Sequence, residues 1–470
     1  MTMPTWSVAE IVQRTHGTLL WGDASQPVCG VSTDSRTVPG GALFVALRGE
    51  QFDGHYFATA ALKRGAAAVL LAEAQCVASE QRGASSAGIL VADTQVALQA
   101  CALAQRQQFP GPVVAITGSN GKTTVKEMTA AVLQQRYSVC KAVGNLNNHI
   151  GVPLALLQLE TTHDVAVLEL GMNHLGEIRQ LCTMALPDIG VITNIGLAHV
   201  GYLGSIERIQ QAKGELLEAL DPASVAIVNA DDPRARALGQ HAPGRLLTFG
   251  QTPDADIRGW VRADLGLEGS LCTLEIDGVT YDVALSVLGA HQLMNALAAA
   301  AVGVALHVPP AAIVTGLQSY RGMYGRMLVK HGVGGVTLVD DTYNASPQSV
   351  AAALHALAHT RGPGRRLAVL GDMLELGEHG PALHEAMGTL VAQSGVHELI
   401  TVGQLAQHLA EGAQTAGMAA ACIHRTLACE EAVAVLTTLR RTGDVILVKG
   451  SRGMALERLV HALTEPAGEA

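Results

Sequence analysis

The stretch from Val113 to Lys126, with the sequence VVAITGSNGKTTVK, constrains the fold more than any other part of the chain. Its first four residues are apolar and predict a short buried strand, and apolar side chains recur at helical spacing after Lys122. A strand that turns through glycines into a helix brings free backbone N–H groups and the positive end of the helix dipole to one point. The stretch therefore predicts an anion cradle of the kind that holds nucleotide phosphates.

The side chains of this turn suit such a cradle. They belong to Gly118, Ser119, Asn120, Gly121, Lys122, Thr123 and Thr124. Lys122 would reach the outer phosphates, and the Thr123 hydroxyl would bind Mg²⁺. The generic phosphate-loop pattern has another glycine six positions before the lysine, where this chain has Ile116, so the pattern is met only in part. The flanking strand and helix favour the phosphate loop over the alternative, a glycine turn with a solvated lysine.

Composition indicates several well-packed globular domains. The chain has 470 residues, of which 49% are hydrophobic and 15% charged, and this length suggests about three domains. The formal charge of −10, without any Lys/Arg-rich block, argues against a nucleic-acid partner. The 8 cysteines are scattered without a Cys-x-x-Cys pair, which favours a reducing cytoplasm. We recognise no signal peptide and no apolar run long enough for membrane insertion.

Alternating strand and helix signals predict three α/β domains, over residues 1–110, 111–322 and 323–470. The first is small and ends at a Pro/Gly-rich joint. The second, built around the phosphate loop, is expected to have a mostly parallel sheet with helices on both faces and an antiparallel insert over residues 257–286. The third is expected to be a Rossmann-like α/β domain.

Polar residues that follow strands should meet at the carboxyl edge of each sheet. Glu169 ends one central strand and His199 lies in the loop after another, so we expect both near Lys122. A carboxylate in that place can hold Mg²⁺ directly or through water. In the third domain, the polar turns at 371–377 and 449–453 should line a cleft for the same reason.

These features together resemble the Mur ligases, a family of ATP-dependent amide-forming enzymes of peptidoglycan precursor synthesis. The resemblance covers all three domains. Its most specific parts are 118–124, Glu169-Leu170-Gly171, His199, His291 with Asn295, Gly325-Arg326 and 341–344. It implies an ATP-binding ligase that acts through an acyl phosphate, in a pathway on which cell-wall biogenesis, cell shape and cell division depend.

The resemblance also implies residue roles. Lys122 and the rest of the loop would hold the β- and γ-phosphates. The implied nucleotide contacts outside the loop are Asn295, Arg326 and Asp341, and the implied Mg²⁺ contacts are Thr123, Glu169, His199 and Lys213. Lys213 matches a lysine that relatives carry as a carbamate on a second Mg²⁺, and the alternative for it is a plain lysine on a surface helix.

Within the family, three stretches are most similar to the enzyme that adds D-alanyl-D-alanine to a UDP-N-acetylmuramoyl-tripeptide: 145–153, 371–377 and 448–452. The first domain would then bind the UDP end of one substrate, and the third domain would bind the dipeptide. Candidate substrate contacts are Ser35, Arg36, Asn145, Asn147, Asn148, Asp372, Lys449, Ser451 and Arg452. For the polar stretches 33–36 and 48–55 of the first domain, ordinary turn chemistry is an equally good explanation.

The function expected from the sequence is therefore a cytoplasmic, monomeric ligase that uses ATP and Mg²⁺. Two other classes stay open. One is a P-loop ATPase or switch protein that forms no amide bond, and the other is a nucleotide-binding scaffold without catalytic turnover.

Overall fold

The computed structural model describes residues 5–49, 51–83, 85–360 and 362–464. Glu50, in the polar stretch 48–55, lies outside these ranges. In the described residues, strands and helices alternate along the chain and form three large sheets that follow one another in the sequence. The predicted α/β class is confirmed.

The first sheet lies in the part of the chain before residue 110. The elements of this part are β1 (Thr5–Ser7), α1 (Val8–Thr15), β2 (Thr18–Trp21), β3 (Pro27–Cys29), β4 (Val31–Ser32), β5 (Leu43–Val45), α2 (Ala58–Lys63), β6 (Ala68–Leu71), β7 (Ala87–Leu90) and α3 (Thr94–Gln108). The sheet order is β2-β7-β6-β5-β4, parallel except at β2, and β1 pairs with β3 in a separate ribbon. Helix α1 begins after Ser7, because Ser7 and Glu10 cap its first turn reciprocally.

The second sheet forms the middle of the molecule. Its part of the chain contains β8 (Val113–Thr117), α4 (Lys122–Leu133), β9 (Val139–Lys141), α5 (Gly151–Leu156), β10 (Val165–Glu169), α6 (Glu177–Ala185), β11 (Ile189–Ile192), α7 (Val200–Leu203), α8 (Ile206–Glu218), β12 (Val225–Asn229), α9 (Pro233–Gly239), β13 (Arg245–Gly250), β14 (Ile257–Asp264), β15 (Ser270–Ile276), β16 (Val279–Leu285), α10 (Gln292–Ala305) and α11 (Pro310–Ser319). Within residues 113–285, all of them described, nine strands lie in the order β16-β15-β14-β13-β12-β11-β8-β10-β9. Strand β8 is parallel to its neighbours β10 and β11, so the residues that follow these three strands share one edge.

The antiparallel segment expected over residues 257–286 is part of this sheet rather than an insert. Phe249 of β13 pairs with Ile257 of β14 in parallel register, and β15 and β16 then continue the sheet in antiparallel fashion. The sequence predicted the antiparallel pattern correctly, but it did not indicate that the first strand of this segment pairs with β13.

The third sheet lies between residues 328 and 449, of which Arg361 alone is not described. The elements of this part are β17 (Leu328–Gly332), β18 (Val336–Asp341), α12 (Pro347–Ala358), β19 (Arg366–Gly371), α13 (Gly380–Gln393), β20 (Glu398–Val402), α14 (Ala406–Thr415), β21 (Ile423–Thr426), α15 (Cys429–Leu439), β22 (Val445–Lys449) and, after the sheet, α16 (Glu457–Leu463). The order is β17-β18-β22-β19-β20-β21, and only β17 runs antiparallel to its neighbour.

Small side chains fill the core around α4, the helix that carries the phosphate loop. The alanines of α10 from Ala296 to Ala301 are all at 0% exposure, and α10 packs directly on α4. Helix α11 packs on α4 as well, and a Cβ on its Gly316 would lie only 2.5 Å from the Cα of Val132. Because two helices approach α4 this closely, its position at the edge of the sheet is fixed by packing.

The first part of the chain is tied to the central sheet across the joint at 109–112. Helix α3 packs on α5 and α6, and the buried Arg106 of α3 donates to the carbonyl oxygens of Ala185 (2.9 Å) and Leu186 (3.0 Å). The Arg106 guanidinium also pairs with the Asp188 carboxylate at 2.9 Å. Among the described residues, no helix has the length and apolar character needed to cross a lipid bilayer.

Candidate active site

The phosphate loop lies between β8 and α4, at the carboxyl edge of the central sheet. Its backbone has φ of +149° at Gly118 and +82° at Gly121, a region that favours glycine. A Cβ on Gly118 would lie 1.9 Å from Thr193 Oγ1, and a Cβ on Gly121 would lie 2.4 Å from Asn295 Oδ1. The surrounding residues thus leave no room for side chains at these two positions, and the N-terminus of α4 lies at the wall of a cleft.

Two lysines converge on one carbonyl oxygen of this loop. The Nζ atoms of Lys122 and Lys213 each donate to the Gly118 carbonyl at 2.9 Å. Lys122 lies at the cleft, whereas Lys213, on α8, is 1% exposed and lies beneath the loop. Burial lowers the pKa of Lys213 well below the ordinary lysine value, and the neighbouring Lys122 lowers it further. Burial also lowers the pKa of Lys122, against the opposing effect of the Glu169 carboxylate.

Glu169, the last residue of β10, is the buried acid of the site at 2% exposure. Its Oε2 accepts a hydrogen bond from Thr123 Oγ1 at 2.8 Å, and its Oε1 accepts one from Asn147 Nδ2 at 2.8 Å. Thr123 Oγ1 also accepts from the Arg326 guanidinium at 3.2 Å. The result is a cluster of hard oxygen donors directly beside the phosphate loop.

This cluster fits Mg²⁺ bound together with a nucleotide. No group of three or more His, Cys, Asp or Glu suited to a metal occurs in the described part of the chain. Mg²⁺ in nucleotide sites uses one or two protein carboxylates and takes its other ligands from phosphates and water. Glu169 and the Thr123 hydroxyl supply that minimal protein set, so the donor chemistry and the ion agree.

The third part of the chain closes the other side of the cleft. Arg326 stacks on the ring of Tyr343, with its Cζ 4.0 Å from the ring centroid. Ser346 Oγ donates to Asn120 Oδ1 of the phosphate loop at 2.9 Å. Because these residues belong to the third part and contact residues of the second, the cleft exists only where the two parts meet.

A second link between these parts involves His199 and Glu375. The ring Nδ1 of His199 lies 2.6 Å from Glu375 Oε2, and the Gly201 amide donates to the Glu375 carbonyl at 2.9 Å. The interaction with the His199 ring lowers the pKa of Glu375, against the opposing effect of burial. The structure thus places His199 at the cleft, with its ring against Glu375.

Comparison with known proteins identifies the family. Three family patterns match in succession: Mur ligase family, catalytic domain, at residues 27–106; Mur ligase middle domain at 116–303; and Mur ligase, glutamate ligase domain, at 325–452. The UDP-N-acetylmuramoyl-tripeptide--D-alanyl-D-alanine ligase of Bacillus subtilis (strain 168) is 37% identical over 461 residues, which are 98% of this chain and 98% of that protein. The chain belongs to the Mur ligase family.

Solved Mur ligases share the whole architecture. MurF from Acinetobacter baumannii has a TM-score of 0.88 at 31% identity and covers 98% of this chain and 99% of its own. MurF ligase from Thermotoga maritima, solved in complex with ADP, has a TM-score of 0.78 at 31% identity, with 92% and 96% covered. The predicted resemblance to the family is confirmed over nearly the full length.

In this Mur ligase, most of the site residues predicted from the sequence line one cleft with a volume of about 760 Å³. They are Ser119, Asn120, Gly121, Lys122, Thr123, Thr124, Asn145, Asn147, Asn148, Glu169, His199, Asn295, Arg326, Asp341, Lys449, Ser451 and Arg452. His291, which also lines the cleft, has its pKa lowered to about 4 by burial. Gly118 and Lys213 lie behind this wall and contact it through the loop.

Four predicted residues have other surroundings or partners. Asp372 does not line the cleft, because its Oδ1 accepts from the Ala406 amide at 2.7 Å and so caps α14. The ammonium of Lys449 is buried against Asp341 at 2.6 Å. Ser35 and Arg36 lie in the first part, outside this cleft, and Arg36 pairs at 2.7 Å with Asp34 on the surface.

Three residues of the site were not singled out from the sequence. Glu375 lies in the turn 371–377, which was expected to line the cleft. The strand-end rule therefore pointed to this turn, but Asp372 was chosen from it instead of Glu375. Ser346 and Asn194 follow strands, as the other polar residues of the site do. Asn194 accepts from the Ser119 amide at 2.9 Å and the Asn120 amide at 3.0 Å, and thus holds the loop from below.

Proposed function

We propose that this Mur ligase joins D-alanyl-D-alanine to the C-terminal carboxylate of a UDP-N-acetylmuramoyl-tripeptide, with conversion of ATP to ADP and phosphate. The observation that carries the proposal is the 37% identity, over 98% of both chains, to a protein with that name. The cleft supports it, because a phosphate loop, a buried acid and residues from the third part of the chain all face one space.

The chemistry explains why ATP is needed. A carboxylate does not condense with an amine in water, because oxide is a poor leaving group. A carboxylate oxygen of the tripeptide would attack the γ-phosphorus, the bond to ADP would break, and an acyl phosphate would form. The dipeptide amine would then attack the acyl carbon, and phosphate would leave with the electron pair of the C–O bond.

Both reactants of the first step are anions, so the site must offset their charge. In our proposal the Lys122 ammonium and the first amides of α4 hold the β- and γ-phosphates. Asn295, Arg326 and Asp341 contact the nucleotide from opposite walls of the cleft. The stacking of Arg326 on Tyr343 supports this role, because the guanidinium is held in place before a ligand binds.

Mg²⁺ belongs to the proposal as a bound ion that offsets charge on the phosphates when present. Thr123 and Glu169 would hold it, with His199 nearby, and Lys213 would carry a carbamate for a second ion. Burial of Lys213 supports this assignment, because a lowered pKa favours the neutral amine, and the neutral amine is the form that adds carbon dioxide.

The remaining parts of the proposal concern the organisation of the enzyme. The domain limits 1–110, 111–322 and 323–470 assign UDP binding to the first domain and dipeptide binding to the third, where Ser451 and Arg452 line the cleft. Residues 1–4 and 465–470 of these ranges lie outside the described structure. A monomer is sufficient, since one chain supplies both walls of the cleft. The eight free cysteines support a cytoplasmic location.

Phosphate release tests the function against its alternatives. The enzyme is given ATP, Mg²⁺ and UDP-N-acetylmuramoyl-tripeptide, with or without D-alanyl-D-alanine, and the products are identified by mass. A ligase releases phosphate in step with the new amide only when the dipeptide is present. Release that ignores the dipeptide would indicate an ATPase or switch protein, and nucleotide binding without release would indicate a scaffold.

Isotope labelling tests the acyl phosphate. With ¹⁸O in the terminal carboxylate of the tripeptide, we expect one labelled oxygen in the released phosphate, because that oxygen leaves with phosphorus. Label in AMP would instead show that the carboxylate is adenylated.

A further inference from the structure

Lys126 is a second lysine of α4, one turn after Lys122, and it does not line the cleft. Its side chain is at 0% exposure. The Nζ atom donates to the carbonyl oxygen of Ala142 at 2.7 Å and to that of Gly144 at 2.7 Å, and it lies 3.3 Å from Glu127 Oε1. Two of the three N–H donors of the ammonium are thus taken by the loop carbonyls, and the Glu127 carboxylate lies beside it as a counter-charge.

The loop that Lys126 holds is exposed where it leaves β9. It runs from the end of β9 to the start of α5, and Val143, Gly144 and Asn145 are exposed. A stretch with little buried apolar surface is held mainly by its polar contacts. The buried ammonium fixes two of the loop's carbonyls at the end where the loop leaves β9.

The same loop orients the buried acid of the site. The Asn147 side chain donates to Glu169 Oε1 at 2.8 Å, and the Asn147 carbonyl accepts from the Gly171 amide at 2.8 Å. The other oxygen of Glu169 accepts from Thr123, which lies on α4 three residues before Lys126. A continuous path of contacts therefore runs from Lys126 through Gly144 and Asn147 to Glu169 and returns to α4.

We infer that Lys126 is a positioning residue of the ligase: it fixes the loop 142–149 so that Asn147 holds the Glu169 carboxylate in place beside the phosphate loop. A buried cation is costly unless its partners are ideal, and an apolar side chain of similar size would fill the same space. Packing alone therefore does not explain why a charged group lies here, whereas its hydrogen bonds to the loop 142–149 do. The expected effect on the rate of ligation rests on the proposed function, whereas the expected effect on the order of the loop does not.

The test compares Lys126→Met with the matched control Lys141→Met. Lys141 also pairs with Glu127, but it is 38% exposed and contacts neither loop carbonyl. Hydrogen–deuterium exchange is measured over peptides that cover 142–149. We expect faster exchange there in Lys126→Met and unchanged exchange in Lys141→Met, whether or not the chain is the proposed ligase.

Kinetics give the second measurement. Loss of a residue that orients a metal-binding group commonly costs about 10- to 100-fold. We expect a fall of about this size in kcat for Lys126→Met, a higher Mg²⁺ concentration at half-maximal rate and an unchanged KM for the dipeptide. Lys141→Met should stay within about twofold of wild type, and Lys126→Arg should recover part of the rate because it restores a cationic donor.

A double-mutant cycle with Asn147→Ala shows whether Lys126 acts through the loop. If it does, adding Lys126→Met to Asn147→Ala should lower kcat little further, because the contact to Glu169 is already lost. The inference would be overturned if the two substitutions lowered kcat by factors that multiply in the double variant. It would also be overturned by unchanged exchange over 142–149 or by a Lys126→Met protein that does not fold. A wild-type protein that forms no amide would refute the proposed function instead, and the exchange result would still decide the inference.

Discussion

Lys122→Met should separate catalysis from stability in this enzyme. In the structure the Lys122 ammonium donates to the carbonyl oxygens of Gly118 (2.9 Å) and Ser119 (3.4 Å) and lies at the cleft wall. Removing one preorganised charge-stabilising donor usually costs about 10²–10³-fold in rate, or about 2.7–4 kcal/mol. We therefore expect kcat for ligation to fall at least about 100-fold.

The Tm of Lys122→Met should be equal to or higher than that of the wild type, even though its rate is lower. Burial lowers the pKa of Lys122, which means that the folded protein disfavours its charge relative to the unfolded chain. Wild-type stability at this site therefore rises as the pH increases from the folded pKa to the ordinary value of 10.5. Methionine has no charge to bury and so avoids this cost. Any gain in Tm for Lys122→Met should therefore be largest near neutral pH and shrink as the pH approaches 10.5.

The assay is dipeptide-dependent phosphate release at saturating substrates, followed by thermal unfolding at pH 7 and at higher pH. Lys63→Met is a suitable control, since Lys63 is an exposed lysine of α2 far from the loop in sequence. A Lys122→Met protein that keeps more than a tenth of the wild-type rate would refute the role given to the ammonium. A variant that unfolds would refute the stability argument.

Three further predictions concern other contacts. Thr123→Val removes the hydroxyl that donates to Glu169, and we expect a rate about 10- to 100-fold lower and a higher Mg²⁺ requirement in a magnesium titration. Gly118→Ala should abolish nucleotide binding, measured by calorimetry, because the added Cβ would lie 1.9 Å from a neighbouring oxygen; normal affinity would contradict the packing argument. Arg365→Ala leaves the buried Asp444 without its partner at 2.8 Å, which should cost about 3 kcal/mol and lower Tm by about 6–12 °C, with little change in kcat at low temperature.

Local patterns in the sequence were sufficient for the phosphate loop and most strands. The run 113–116 predicts a strand that the structure extends by one residue to Thr117. The sequence also predicts a helix over 94–108, and α3 has these limits. The sequence predicts a strand over 189–195, whereas β11 ends three residues earlier at Ile192. The sequence did not indicate strands β1 to β4, β9, β17 and β21, because short or polar strands at sheet edges and in ribbons depend on pairing with neighbours rather than on their own pattern.

Burial of charged residues was beyond the reach of the sequence. Lys126 and Lys213 both lie on helices, where a lysine is ordinarily solvated, and the simple alternative for Lys213 was a surface position. The structure shows Lys213 at 1% exposure, so that alternative is wrong. Which face of a helix is covered depends on elements far away in the chain, and in this molecule the covering partners are the phosphate loop and the end of β9.

The turn 371–377 shows the same limit at the level of single side chains. Both Asp372 and Glu375 follow β19, and the strand-end rule treats them alike. In the structure, Asp372 accepts a hydrogen bond at the N-terminus of α14, whereas Glu375 lines the cleft. The difference arises because Glu375 has φ of +65°, and its carbonyl is held by the Gly201 amide from the second part of the chain. A contact between two parts of the molecule thus decides which acid faces the substrates, and no local pattern contains that information.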